Sequence, residues 1–198
     1  MANNVVTPSP IIIREHLELW NTLENYTLQE KSLNHLFIEL CPKNDTIESI
    51  LLKVSCLNDF YSTNIFDTYS VARHILKMNI DSRLDGSDYS LVNELAKVSI
   101  KTREINFYSF ASKYCSHHKP DTFPIYDSFV EKMLIHYHKT DKFDNFKKGD
   151  LKNYEKFIEI IKKFQNTYGL SGFSLREIDI FLWLAGKKYF PKKYGKKS

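Results

Sequence analysis

Asp127 is the side chain in this sequence best placed to do chemistry. The pair Asp127-Ser128 stands directly before an apolar-periodic run. A carboxylate at the mouth of a helix is held ionised by the helix dipole and by free backbone N–H groups. Held so, it can stabilise a cationic, oxocarbenium-like sugar while a base departs, or orient an attacking water. The same position also serves a structural purpose. Ser128 with Glu131 fits the S/T-x-x-E capping box, and a helix cap contributes about 1 kcal/mol.

Lys113 is the second candidate, one helical turn beyond Ser109. As a nucleophile it would need its pKa lowered by burial or by a neighbouring cation, whereas a mid-helix lysine ordinarily reaches into solvent. Asn58, Tyr61 and Asn64 form a polar-aromatic cluster after an apolar stretch. Such residues suit wedging into a duplex or reading an extruded nucleotide, and they equally suit the end of a helix. Cys115, His117, His118, His136 and His138 invite a zinc reading. On a helix, however, His136 and His138 point about 200° apart, and there is no Cys-x-x-Cys pair. No metal and no other cofactor is expected.

The run Phe107–Val130 resembles the catalytic segment of the helix-hairpin-helix DNA glycosylases, the superfamily of endonuclease III and the adenine glycosylases. Phe123-Pro-Ile-Tyr-Asp127 with Val130 is similar to the family's aspartate signature, and Ser109–Ser116 is similar to the second helix of its hairpin motif. Leu51–Asp59 resembles the helix that ends in polar residues entering the DNA stack. The resemblance implies a DNA-repair hydrolase that binds DNA and excises a damaged or unusual base, with Asp127 as the essential aspartate. Asn58, Tyr61, Asn64 and Ser109 would then meet the opened duplex.

Three departures from the family pattern shape that expectation. There is no glycine between Gly86 and Gly149, so Glu104–Phe107 must turn without the family's glycine-rich hairpin. Ser109 stands where bifunctional members place a nucleophilic lysine, and a serine forms no Schiff base. Cleavage should therefore be monofunctional, with Lys113 the nearest substitute amine. Lys53 stands near the place of a glutamate in adenine-specific members, which argues against that substrate. Two other classes of function remain: a catalytically silent nucleic-acid-binding module on the same scaffold, and a helical protein-interaction domain.

The elements that must position these residues read as helices. Of 198 residues 42% are hydrophobic and 14% aromatic, while Gly and Pro number only 6 each, which favours a few long helices over many short strands. Apolar periodicity marks helices through Ile13–Leu23, Thr27–Pro42, Ile47–Leu57, Asp67–Met78 and Leu91–Val98. Further helices are expected over 103–118, Ser128–Tyr137, Tyr154–Phe164 and Leu175–Leu184, with a loop over Asn79–Ser87 and a charged linker over Lys139–Gly149. The expected fold is all-α, a compact multi-helix domain with a groove between two lobes. Residues 1–10 read as a flexible lead-in, 11–186 as the helical domain and 187–198 as a basic tail.

The net charge of +4 hides an asymmetry. Residues 131–198 hold 16 Lys and Arg against 8 Asp and Glu, whereas residues 1–60 hold 4 against 8. A basic C-terminal third, with Lys192 and Lys193 in its tail, suits a phosphate-facing surface or a solvated tail. No membrane partner is expected, because Ile11-Ile12-Ile13 runs at once into Arg14 and Glu15. Three widely spaced cysteines, Cys41, Cys56 and Cys115, suit reduced thiols in a cytoplasmic protein and are too few for the usual iron–sulfur ligand set.

Overall fold

The structure is a computed structural model that describes residues 5–191. Among the described residues it holds ten α-helices and one small hairpin. The helices are α1 (Pro10–Thr22), α2 (Glu24–Asn34), α3 (Ile47–Tyr61), α4 (Thr68–Met78), α5 (Asp81–Asp85), α6 (Ser90–Leu95), α7 (Tyr108–His118), α8 (Ser128–Asp141), α9 (Tyr154–Thr167) and α10 (Leu175–Tyr189). The strands β1 (Lys97–Ile100) and β2 (Arg103–Asn106) lie between α6 and α7. A π-helical stretch, His35–Leu40, prolongs α2, and a 3₁₀ turn, Lys148–Lys152, precedes α9. The fold is all-α, as the composition predicts.

The local sequence explains most helix starts. Ser9, Asp67, Asp127, Asn153 and Ser174 each accept a backbone N–H of the first turn that follows. Pro10 occupies the first turn of α1, where a missing N–H costs nothing. Ser174 and Glu177 form a reciprocal capping box at the head of α10. The expected box at Ser128 and Glu131 does not form. Asp127 itself is the cap, and the Glu131 carboxylate turns away to take the Tyr126 hydroxyl.

The hairpin replaces helix expected on both sides of it. Lys97 pairs with Asn106 and Ile100 with Arg103 in antiparallel register, and Lys101 supplies the turn at φ 54°. Phe107 N–H donates to Ala96 O at 2.8 Å and closes the ladder onto α7. Val98 alone on β1 is buried and β2 is exposed along its length, so the alternation of a half-buried strand overrides the helical spacing of Leu91, Leu95 and Val98.

Some expected loops are anchored. Phe143 and Phe146 in the charged linker are buried, and Asp81–Asp85 forms a short helix. Val6 packs against the core and its carbonyl accepts the Tyr137 hydroxyl at 2.8 Å. At the other end α10 continues through Lys187 and Lys188 to Tyr189. No helix among the described residues is long and apolar enough to cross a membrane.

One contiguous core joins the helices, with α7 at its centre. All eleven residues of α7 except Ser109 are buried, yet Ser112, Lys113, Ser116, His117 and His118 are polar. Burying polar groups is costly unless they find partners. Those partners come from distant elements. His118 Nε2 lies 3.3 Å from Lys53 Nζ and 3.2 Å from Asn44 Nδ2. Lys53, 0% exposed, donates to Cys41 O, Lys43 O and Asn44 Oδ1 at 3.0, 2.8 and 2.7 Å. This lysine therefore pins the loop between α2 and α3 from inside.

Candidate functional site

The segment Pro124–Tyr126 belongs to no helix or strand and is buried, with no sheet neighbour to pair its backbone. Side chains do that work instead. Tyr154 hydroxyl donates to Pro124 O at 2.6 Å, and Asp179 Oδ2 accepts Ile125 N–H at 2.6 Å. Ser112 Oγ accepts Tyr126 N–H at 3.1 Å, and Ser109 Oγ donates to Tyr126 O at 3.0 Å. These bonds satisfy groups that burial would otherwise leave unpaired, and they fix where the next residue, Asp127, sits.

Asp127 Oδ1 accepts from Phe129 N–H at 2.8 Å and Val130 N–H at 2.9 Å. Among the described residues no hydrogen bond is made to its other oxygen, Oδ2. The helix it caps, α8, lies tight against α10. A Cβ on Gly186 would meet Phe129 Cβ at 2.7 Å and Phe129 O at 2.8 Å, so only glycine allows this approach.

Asp127 opens onto a cleft of about 910 Å³. Lys113, Ser109 and Tyr61 line the same cleft, so four of the residues singled out by sequence converge there. Lys113 is 4% exposed; its ammonium donates to Ser109 Oγ at 2.6 Å and Ser109 O at 3.3 Å, and lies 5.2 Å from the centre of the Tyr61 ring. Lys113 is thus a buried cation at the cleft wall and not a solvated surface side chain. The Tyr61 hydroxyl lies in hydrogen-bond contact with His117 Nε2 at 3.0 Å. Burial pushes the Tyr61 phenol up to about 12, and burial, reinforced by Arg176 and Lys113, takes His117 down to about 3. Both shifts keep the phenol and the imidazole neutral, so the contact is a hydrogen bond between two uncharged groups.

Asn58 and Asn64 do not line the cleft, which corrects the expectation that both face a ligand. Asn58 faces inward: its Oδ1 accepts from Thr63 Oγ1 at 2.8 Å and Ile65 N at 2.9 Å, and its Nδ2 donates to Ile65 O at 3.1 Å. Asn64 takes a left-handed φ of 57° in the loop so pinned. The loop presents a residue the sequence reading passed over. Ile65 is buried, Asp67 caps α4, and between them Phe66 is 98% exposed. Ser62 and Thr63 of this loop line the cleft rim. Lys192 and Lys193 lie outside the described residues.

Other lining groups were also missed. Arg176 of α10 is held by Glu30 Oε1 at 2.6 Å, and Trp20 Nε1 donates to Glu30 Oε2 at 3.2 Å. Trp20, Tyr26 and Trp183 pack together in the cleft lining, with Lys187 over the Tyr26 and Trp183 rings at 4.5 and 4.7 Å. Lys152 Nζ lies 4.2 Å from the centre of the Tyr126 ring, and burial lowers its pKa. The signal for Asp179 was present but unread: a carboxylate within the apolar run Ile178–Leu182 has no place in a simple core face. Among the described residues no group of three or more His, Cys, Asp and Glu is arranged to hold a metal, and the three cysteines are free.

A cleft with aromatic side chains, the Asp127 carboxylate and the buried Lys113 in its lining can take a planar ring and stabilise positive charge developing next to Asp127. The profile of the HI_0787_N family, described as an N-terminal domain, matches residues 12–122, more than half of the chain. The chain belongs to the HI_0787_N family. The match contains Tyr61, Ser109 and Lys113 and stops before Asp127. A relative from Haemophilus influenzae, described as an uncharacterized protein, is 51% identical over 147 residues, covering 74% of this chain and 70% of the relative. No solved structure gives a significant match.

Proposed function

We propose that this family member is a DNA-glycosylase-like protein that draws a damaged or unusual base into the cleft and breaks its glycosidic bond. The observation that carries the reading is the convergence of Asp127, Lys113, Ser109 and Tyr61 on one aromatic-walled cleft. In the proposed reaction the bond between the base nitrogen and C1′ breaks and its electron pair leaves with the base. Positive charge develops on the sugar, where the Asp127 carboxylate stabilises it, and a water then attacks C1′ and passes its proton to solvent. The Lys113 ammonium, seated against Ser109, favours the departing base by its charge. The cleavage is monofunctional, because the serine leaves no lysine at the usual nucleophile position.

Such a protein must open a duplex and fill the gap that the extruded base leaves. Phe66, protruding from a pinned loop at the cleft rim, supplies the apolar wedge that the polar cluster was expected to provide. The basic C-terminal third holds phosphates.

The second reading, a catalytically silent nucleic-acid-binding module, draws on one observation: Asp127 Oδ1 already accepts two N–H groups, as any N-cap does. Incubating the wild-type protein with oligonucleotides carrying different lesions, then cleaving abasic sites with alkali, separates the readings. Strand breaks that appear only after alkali, with no borohydride-trapped protein–DNA adduct, support a monofunctional glycosylase. Salt-dependent binding with no breaks supports the silent module, and no salt-dependent binding at all removes both.

A further inference from the structure

Trp20, Tyr26 and Trp183 stand apart from the hydrophobic core. All three are half-buried, and none belongs to the core cluster or to the residues packed against it. They include both tryptophans of the chain, and all three line the cleft. Large aromatic side chains that serve no core and keep surface in an open cleft mark a binding surface.

Their arrangement suits a stacked ring. Trp20 and Tyr26 lie nearly parallel, with ring centres 6.0 Å apart and planes at 19°. Trp183 stands edge-on to both, at 5.9 and 5.0 Å. Phe129 meets Trp183 edge-on at 6.4 Å, and the Phe129 N–H is one of the two that Asp127 Oδ1 accepts. The cluster therefore adjoins Asp127 by way of Phe129. Tyr61 and Tyr126 line the same cleft in other company, Tyr61 beside Lys113 and Tyr126 beside Tyr108 and Lys152. Asp127 thus has more than one set of flat rings within reach of what it holds. The cleft volume of about 910 Å³ lies near the top of the range of about 300–1,000 Å³ for small-ligand sites, more than a single base fills.

Charge completes the pattern. Lys187 is exposed, and its ammonium touches the Tyr26 hydroxyl while lying over the Tyr26 and Trp183 rings. A solvent-exposed lysine on a flexible stem can swing from those rings to the phosphate that a stacked nucleotide brings with it. Aromatic faces with a cation beside them are the combination that holds single-stranded nucleic acid.

We propose that Trp20, Tyr26 and Trp183 form a second subsite, on which the base next to the target base stacks, with Lys187 against its phosphate. The protein then takes two neighbouring nucleotides out of the helix. Stacking reads the face of a ring and not its edge, so this subsite accepts any base. This assignment rests on the glycosylase-like reading and names the form of its substrate, a pair of consecutive unstacked nucleotides.

The test is fluorescence anisotropy of the full chain with duplexes that carry a tetrahydrofuran abasic nucleotide in the target position. The nucleotide on its 5′ or 3′ side bears either adenine or a second tetrahydrofuran, and lies opposite an abasic nucleotide so that no base pair has to be broken. Every duplex then has the same phosphates, and only the neighbouring base differs. On one of the two sides the adenine should raise affinity about tenfold, within the roughly 5- to 150-fold that one base–aromatic stack provides. It should also quench the intrinsic emission, because both tryptophans lie at the subsite. Trp183→Leu should lose the gain, while Trp183→Phe, which keeps a ring, should retain most of it.

A gain that survives Trp183→Leu overturns the assignment. If Trp183→Leu does not fold, Tyr26→Leu decides, and a gain that it leaves intact is equally fatal. Equal binding with and without the neighbouring base on both sides overturns this assignment and leaves the glycosylase-like reading intact; binding of no duplex overturns both.

Discussion

Phe66 gives the sharpest separation between folding and function. It is 98% exposed, so Phe66→Ala removes almost no packing and should change stability by no more than about 0.5 kcal/mol. If the ring is a wedge, its removal forfeits base stacking of about 1–3 kcal/mol. That corresponds to roughly a 5- to 150-fold loss in affinity for a duplex with an extruded base. Asn58→Ala provides the companion measurement. It deletes three hydrogen bonds of 2.8, 2.9 and 3.1 Å that hold the loop, and should lower stability by about 2 kcal/mol while also weakening binding. The assays are thermal or urea unfolding for stability, anisotropy for affinity, and fluorescence of a 2-aminopurine beside the target base for unstacking. Phe66→Leu, still apolar, should recover part of the wedge. Unchanged affinity and unstacking in Phe66→Ala would refute the wedge, and an equally large stability loss would refute the claim that the ring is free of the fold.

The remaining predictions concern how the site is held. Gly186→Ala drives a methyl group into Phe129 Cβ and carbonyl, and should cost about 1–3 kcal/mol in urea unfolding while moving α8 and the carboxylate it carries. Lys53→Met removes three hydrogen bonds, to Cys41 O, Lys43 O and the buried Asn44 Oδ1, and should cost about 3 kcal/mol at neutral pH. Burial lowers Lys53 from 10.5 to about 8, so the folded state holds fewer protons than the unfolded between those values. The pH-linked part of its contribution is full above 10.5 and is lost as the pH falls through about 8, which leaves the share of its hydrogen bonds at neutral pH. The gap between wild type and Lys53→Met should therefore widen with rising pH over that window, by up to about 1.4 kcal/mol per unit; a flat difference would contradict the assignment.

The sequence made the helices and the Asp127 cap legible because both are written locally, in apolar spacing and in a polar residue just before it. The hairpin was not legible. Its turn uses Lys101 in a left-handed conformation, with none of the Gly or Asn residues that ordinarily announce one. Lys113, His117 and His118 read as solvated or metal-binding groups because their partners lie far away in the chain: Tyr61 bonds His117, and Asn44 and Lys53 contact His118. Periodicity reports which face of a helix is buried, and α7 is buried on nearly all of them, so its polar residues carried no visible pattern. Asn58 reads as a ligand-facing residue because a polar side chain after an apolar helix carries no mark of its partners, which are Thr63 and Ile65 of the following loop.

The central claim is that Asp127 stabilises charge on the sugar, and single-turnover excision by wild-type and Asp127→Asn protein tests it most directly. Asparagine is as good a helix cap as aspartate, so the variant should fold and melt like the wild type. It lacks the negative charge and should excise at least about a hundredfold more slowly from whichever lesion the wild type accepts. A folded Asp127→Asn protein that excises at the wild-type rate would contradict the account.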